Sequence, residues 1–223
     1  MTGDFVIDWE RTQRTGATEA IFCEGKSAAQ IAAILRAAGE RRLFLTRLSA
    51  DSLTALPADI AARLDYDPVS RTAVLGACVP AQETPRICLV AAGTSDLPVA
   101  HEAGRALAFH GRAATLVADV GVAGLWRLME RLEEIRRHDV IIAAAGMEGA
   151  LFSVLAGLVA APLIAVPTSI GYGVARGGRA ALSSALASCA PGLVTVNIDN
   201  GYGAACAALR ILAAIDHAGA GCR

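Results

Sequence analysis

Aromatic side chains are scarce in this chain: two Trp, three Tyr and five Phe stand among 223 residues, or 4%. The apolar character, 54% of the sequence, therefore comes mainly from Ala, Val and Leu. That composition favours close-packed helices and strands over a deep aromatic groove. Net charge is also missing. Lys and Arg number 20 against 21 Asp and Glu, for a balance of −1, so no basic surface recommends nucleic acid and no acidic arm is present. The six cysteines (Cys23, Cys78, Cys88, Cys189, Cys206, Cys222) include no C-x-x-C pair. Their scatter supports neither a zinc site nor a disulfide framework, and points to free thiols in a cytoplasmic protein. The start, MTGDFVIDWER, lacks the basic segment and apolar core of a signal peptide.

What the chain does have is a long apolar run. Residues 149–166 carry one hydroxyl, Ser153, and no charge, so a membrane span has to be weighed. The run is rich in Ala and Gly, Pro162 interrupts it, and the segment before it reads as a strand. A buried helix, packed between subunits, is the expectation, and no membrane association.

Residues 1–84 read as a small α/β domain. A strand is expected over 19–23, a helix capped by Ser27 through residue 38, and a strand over 43–48. Ser49 caps a short helix before Pro57, and 60–66 with 72–75 form a hairpin around Asp67-Pro68. A linker comes next, over 79–85. From residue 85 to 217 the pattern is regular: strands over 87–92, 114–118, 140–145, 163–166 and 193–198 alternate with helices over 96–110, 124–138, 147–160, 176–188 and 203–217. Five such units make a doubly wound, flavodoxin-like parallel sheet with helices on both faces. Residues 218–223 read as a loose tail.

In an open parallel sheet, ligands bind beyond the carboxyl ends of the strands. The loops there read Gly93-Thr94-Ser95-Asp96, Asp119-Val120-Gly121-Val122, Gly146-Met147-Glu148-Gly149, Pro167-Thr168-Ser169-Ile170-Gly171-Tyr172-Gly173 and Asp199-Asn200-Gly201-Tyr202-Gly203. Glycines, hydroxyls and carboxylates gather at one rim, which suits a phosphorylated small molecule. None of these loops carries G-x-G-x-x-G or G-K-[ST], so a dinucleotide fingerprint and a Walker A loop are not indicated. Glu148 is expected in the first turn of its helix, where the dipole alone favours a carboxylate, with no obvious cation nearby. Its alternative role is that of a catalytic acid or base. Cys189 lies at the edge of the sheet opposite the rim, so it can reach a rim site only from a neighbouring subunit. The histidines (His101, His110, His138, His217) all fall in or at the ends of helices.

These residues resemble a known family. Gly93-Thr94-Ser95-Asp96-Leu97-Pro98 is similar to the G-S-x-S-D-x-P opening of phosphoribosylaminoimidazole carboxylases, whose Ser-Ala-His-Arg motif is replaced here by Ala118-Asp119-Val120-Gly121. A closer resemblance is to the LarB-type carboxylase/hydrolases of nickel-pincer cofactor biosynthesis. It is carried by Asp119-Val120-Gly121-Val122-Ala123-Gly124, Ala145-Gly146-Met147-Glu148-Gly149-Ala150, the loop from Val166 to Gly173, Ser188-Cys189-Ala190-Pro191-Gly192, and the stretch from Val196 to Gly203. Asp8-Trp9-Glu10-Arg11 and Phe22-Cys23-Glu24-Gly25-Lys26-Ser27 also resemble that family.

The resemblance implies carboxylation of the pyridinium C5 of nicotinic acid adenine dinucleotide by CO2 or bicarbonate. Hydrolysis of the phosphoanhydride then gives AMP and pyridinium-3,5-biscarboxylic acid mononucleotide. It places Cys189 at the catalytic cysteine and Glu148 at the active-site glutamate, as base or as the group orienting water. Gly93, Thr94, Ser95, Asp96, Asp119, Gly121, Gly146, Met147, Thr168, Ser169, Tyr172, Asp199 and Asn200 are the expected substrate-binding residues. Thr94, Ser95 and Asp96 would address phosphate or ribose, and Thr168 and Ser169 the nicotinate carboxylate. Mg2+ is the candidate helper for hydrolysis, with no ligand set visible and no organic cofactor implied. The expected assembly is a homo-oligomer, from dimer to octamer, with shared active sites. A purine-type carboxylase or mutase and a non-catalytic nucleotide-binding regulator are the competing readings.

Overall fold

The computed structural model of the protein describes residues 5–77, 79–80 and 84–220, with side chains through 218. Cys78, Cys222, most of the expected linker's centre (81–83) and the end of the expected tail (221–223) lie outside the described residues. The chain divides into two compact units, residues 1–80 and 81–223.

The first unit contains α1 (Arg11–Thr15), β1 (Ala20–Phe22), α2 (Ala28–Ala38), β2 (Leu43–Thr46), α3 (Ala50–Thr54), α4 (Ala58–Ala61), β3 (Leu64–Asp67) and β4 (Thr72–Leu75). Its sheet has the order β1-β2-β4-β3, parallel between β1 and β2 and antiparallel elsewhere. Helix α2 starts where its caps dictate: the Ser27 side chain accepts from the Gln30 N–H and the Gln30 side chain accepts from the Ser27 N–H. The expected hairpin forms, but 58–61 is a helical turn, so β3 begins only at Leu64. Pro57 opens that turn with a fixed φ of −54°. Ile31, Leu35, Leu45, Leu48, Ile60 and Leu75 fill the core beneath the sheet.

The second unit alternates β5 (Ile87–Ala91), α5 (Leu97–Phe109), β6 (Ala114–Val117), α6 (Leu125–Ile135), β7 (Val140–Ala145), α7 (Ala150–Ala156), β8 (Leu163–Pro167), α8 (Arg179–Leu186), β9 (Leu193–Thr195) and α9 (Gly201–Ala220). All neighbouring strands are parallel in the order β6-β5-β7-β8-β9, the flavodoxin-like order of a doubly wound sheet. Strands β5, β7 and β8 are buried at every residue, as a parallel sheet covered on both faces requires.

Three elements differ from expectation. The helix after β7 has seven residues, because Gly149 at φ 64° delays its start and Gly157 ends it. Among the described residues no helix is long and apolar enough to cross a membrane. Strand β9 stops at Thr195 on the sheet's outer edge, and after the Val196 N–H bond to Ala165 O residues 197–198 leave the ladder. Helix α9 runs on to Ala220, through the first half of the expected loose tail. Arg86 holds the far end of that helix, binding Asp216 and Asp139 at 2.5 Å each.

Phe152 of α7 is fully buried against the core. Phe152→Ala should lower the unfolding free energy by about 3–5 kcal/mol, measured by urea denaturation followed by circular dichroism; a change below about 1 kcal/mol would mean that α7 is not part of this core.

Candidate functional site

A cavity of about 360 Å³ opens at the carboxyl ends of β5, β6 and β7. Its walls come from the loops after those strands, from the first turn of α7 and from Ile170. Glycine lets these loops close on one another. A Cβ on Gly146 would fall 2.2 Å from the Ile170 carbonyl oxygen and 2.7 Å from Thr168 Oγ1, so no larger residue fits. Three rim loops also hold a non-glycine residue in the left-handed region: Asp119 at φ 58°, Met147 at 52° and Asp199 at 56°. Such conformations cost of order 1–3 kcal/mol each and persist where the surroundings enforce them. For Met147 the enforcing contact is its N–H, which donates to Ile170 O at 2.8 Å.

Asp96 sits at the floor of the cavity and is only 5% exposed. Its carboxylate accepts from the Gly93 N–H at 2.9 Å, from the Thr168 hydroxyl at 2.6 Å and from the Gly146 N–H. One side chain thus joins the loops after β5, β7 and β8. Burial pushes its pKa above the ordinary carboxylate range, against the three donors that pull it down, with Asp199 adding a smaller upward push.

Among the expected site residues, Gly93, Ser95, Asp96, Gly121, Gly146, Met147 and Glu148 line the cavity. Glu148 is exposed and lies ahead of α7, outside its first turn, so helix capping does not account for it. Thr94, Asp119, Thr168, Ser169, Tyr172, Asp199 and Asn200 do not line the cavity. Thr168 is fully buried, its hydroxyl donating to Asp96. Asp199 accepts from the Ser169 N–H at 2.7 Å, and Asn200 accepts from the Gly203 N–H at 2.8 Å at the start of α9. Tyr172 is 76% exposed on the loop after β8.

Cys189 is exposed on the loop between α8 and β9. Because β9 runs parallel to its neighbours, residues preceding it lie at the edge opposite the cavity. Two of the other described cysteines, Cys23 and Cys88, are buried. Burial pushes the Cys23 and Cys88 thiols up to about 12, which leaves them inert as nucleophiles.

The sequence reading did not single out the apolar wall of Ala92, Val122, Ala123, Ala150, Leu151 and Ile170, although all but Leu151 adjoin a rim glycine or hydroxyl. It also passed over Arg127, which ion-pairs with Asp119 beside the cavity at 2.5 Å. The signal was its place three residues after Gly124, which closes the motif that opens at Asp119. Among the described residues no three His, Cys, Asp or Glu side chains cluster to hold a metal ion.

A cavity walled by glycine loops and apolar side chains at the carboxyl rim of a 2-1-3-4-5 sheet, with the exposed Glu148 carboxylate among its lining, defines a flavodoxin-like protein with a small-molecule site. Comparison with known proteins carries this further. A family model for the LarB/PurE-like N-terminal domain matches residues 2–77, and one for AIR carboxylase matches residues 86–220. The chain belongs to the AIR carboxylase family as a LarB-type member. It is 48% identical over 121 residues to uncharacterized protein MJ0165 of Methanocaldococcus jannaschii, covering 53% of this chain and 46% of that protein. It is 38% identical over 133 residues to the N5-carboxyaminoimidazole ribonucleotide mutase of the same organism, covering 58% of this chain and 80% of the mutase. The chain thus spans less than half the length of the first of these relatives.

The raised pKa of Asp96 fixes the sign of a pH effect. A carboxyl whose folded pKa lies above its unfolded value gives its full stability contribution below the unfolded value, about 3.9. That contribution is lost as pH rises through the folded value. Asp96→Asn removes the titration, and its amide NH2 meets the Gly93, Gly146 or Thr168 donors. The unfolding free energy of the wild type minus that of Asp96→Asn should therefore fall as pH rises from about 4 toward neutrality. Paired urea melts read the slope, and a difference that rises with pH would contradict it.

Proposed function

We propose that this chain carboxylates C5 of the pyridinium ring of nicotinic acid adenine dinucleotide and hydrolyses its phosphoanhydride, yielding AMP and pyridinium-3,5-biscarboxylic acid mononucleotide. One observation carries the reading: the cavity lip presents an exposed Glu148 while Cys189 is an exposed thiol on a motif loop. The reaction calls for these two groups. A pyridinium carbon is electrophilic, and attack on CO2 needs a nucleophilic one. Addition of the Cys189 thiolate to the ring forms a C–S bond and leaves an enamine, whose C5 takes up CO2. A base then removes the C5 proton, the C–S bond breaks, and the thiolate departs as aromaticity returns. Glu148 serves as that base or orients the water that cleaves the phosphoanhydride.

In one chain these residues occupy opposite edges of the sheet, so the proposal assigns each site to two copies of the protein in a homo-oligomer. Mg2+ remains the proposed helper for hydrolysis; among the described residues no three His, Cys, Asp or Glu side chains cluster to hold it, and no step of the proposal runs through a metal. A cytoplasmic setting fits the free, exposed thiol.

A second reading has its own support in the 38% identity to a mutase. In it the chain would rearrange an N5-carboxyaminoimidazole ribonucleotide. No histidine lines the cavity, which favours the pyridinium reading.

Incubation of the purified protein with the dinucleotide, 13C-bicarbonate and Mg2+, followed by mass spectrometry, should show AMP and a labelled mononucleotide. Cys189→Ala should abolish label uptake while leaving the circular dichroism spectrum unchanged. Turnover of N5-carboxyaminoimidazole ribonucleotide with an inert pyridinium dinucleotide would establish the mutase instead.

A further inference from the structure

The single hydroxyl of the apolar stretch from Gly149 to Val166 has a specific partner. Ser153 lies on α7, and its Oγ meets Ser188 Oγ at 2.7 Å, 35 residues along the chain. A hydroxyl half-buried among apolar side chains costs free energy unless it finds such a partner. Ser188 makes a second bond: its Oγ accepts from the Ala190 N–H at 3.2 Å. The residue spanned by that bond is Cys189. A side-chain oxygen that accepts from the N–H two residues on closes a local turn. The backbone on both sides of the thiol is thereby pinned, and Ser153 anchors the turn to α7.

The anchor is itself held tightly. Helix α7 leaves the rim beyond Glu148 and Gly149 and ends at the opposite edge, the one that Cys189 occupies. Helix α8 runs beside it in the same direction, because each returns from the carboxyl end of one strand to the start of the next parallel one. A Cβ on Gly149 would lie 3.0 Å from Ala181 Cα, so the two helices approach closely near their starts. At the far end the Ser153–Ser188 contact takes over. Phe152 and Leu155, on either side of Ser153, are fully buried, so α7 cannot slide without opening the core.

We propose that Ser153 and Ser188 are positioning residues for the Cys189 thiol: the hydroxyl pair locks the turn that presents the sulfur to a ring held by a neighbouring copy. Formation of the C–S bond needs the sulfur about 3–3.5 Å from the ring carbon with orbitals aligned, and a misplacement of about 1 Å costs roughly a hundredfold in rate. An unanchored exposed loop would spread the thiol over many orientations. One helix then serves two sites, with Glu148 fixed ahead of its start for one and Cys189 fixed near its end for the other. The inference rests on the cysteine chemistry proposed above.

Steady-state incorporation of 13C-bicarbonate with the dinucleotide concentration varied tests it. Ser153→Ala and Ser188→Ala should each lower kcat for the labelled mononucleotide about tenfold to a hundredfold, with circular dichroism unchanged. KM for the dinucleotide should stay within about twofold of the wild type, because neither serine lines the rim cavity. The double variant should lose no more than the slower single one, since both act through one bond. Ser188→Thr keeps a hydroxyl and should retain most of the wild-type kcat. Ser183→Ala, which removes an exposed hydroxyl of α8 outside the bridge, should match the wild type.

With an active wild type, the assignment is overturned if either alanine variant stays within about twofold of its kcat, if the loss falls in KM alone, or if the two losses multiply in the double variant. Ser188→Thr as slow as Ser188→Ala, or an equal loss in Ser183→Ala, overturns it as well. A wild type that takes up no label refutes the cysteine chemistry itself, and this assignment with it.

Discussion

The rim of this protein depends on one buried carboxylate. Asp96 comes just after β5, yet its acceptors are filled by donors from the loops after β5, β7 and β8. Removing a carboxylate from water is costly unless donors replace the hydration it loses. Here two backbone N–H groups and a hydroxyl do so, and in return three loops acquire a fixed mutual position. The left-handed Met147 and the tight approach of Gly146 to Ile170 both require the loops after β7 and β8 to stay closed. Asp96 supports that closure by accepting from Gly146 on one loop and Thr168 on the other, beside the direct Met147 to Ile170 bond. Glu148, two residues beyond Gly146, takes its place at the lip from that arrangement.

A second constraint comes from topology. All five strands of the larger sheet run the same way, so the loop leaving a strand and the loop entering one lie at opposite edges. Glu148 is on the loop leaving β7, and Cys189 is on the loop entering β9. Within one chain no side-chain rotation brings the two together. A chemistry that needs both must draw them from different copies, which gives the exposed motif loop of Cys189 a role that its own cavity does not.

Much of the fold was legible in the sequence because its signals are local. Ser27 and Ser49 announced their helices through a hydroxyl that reaches three residues forward. The continuous apolar runs of β5, β7 and β8 declared strands buried on both faces. Outcomes of distant contacts could not be read in the same way. Thr168 looked like a ligand-binding hydroxyl, and only the folded chain brings it to Asp96, 72 residues away. Glu148 looked like the first turn of a long apolar helix. The left-handed Gly149 shortens that helix and leaves the carboxylate free in the preceding turn. Arg127 was hidden by its bland setting, since an arginine on an amphipathic helix ordinarily faces solvent.

The assignment of Glu148 and Cys189 to one reaction centre built from two copies is the central claim, and mixing variants tests it most directly. Cys189→Ala and Glu148→Gln chains, each inactive alone, are unfolded together, refolded together and assayed for 13C-bicarbonate incorporation. If every site takes one residue from each copy, some sites in the mixed assembly carry both intact groups, and activity returns to about a quarter of the wild-type value. Mixed assemblies that form, as shown by mass, yet stay inactive would contradict the account.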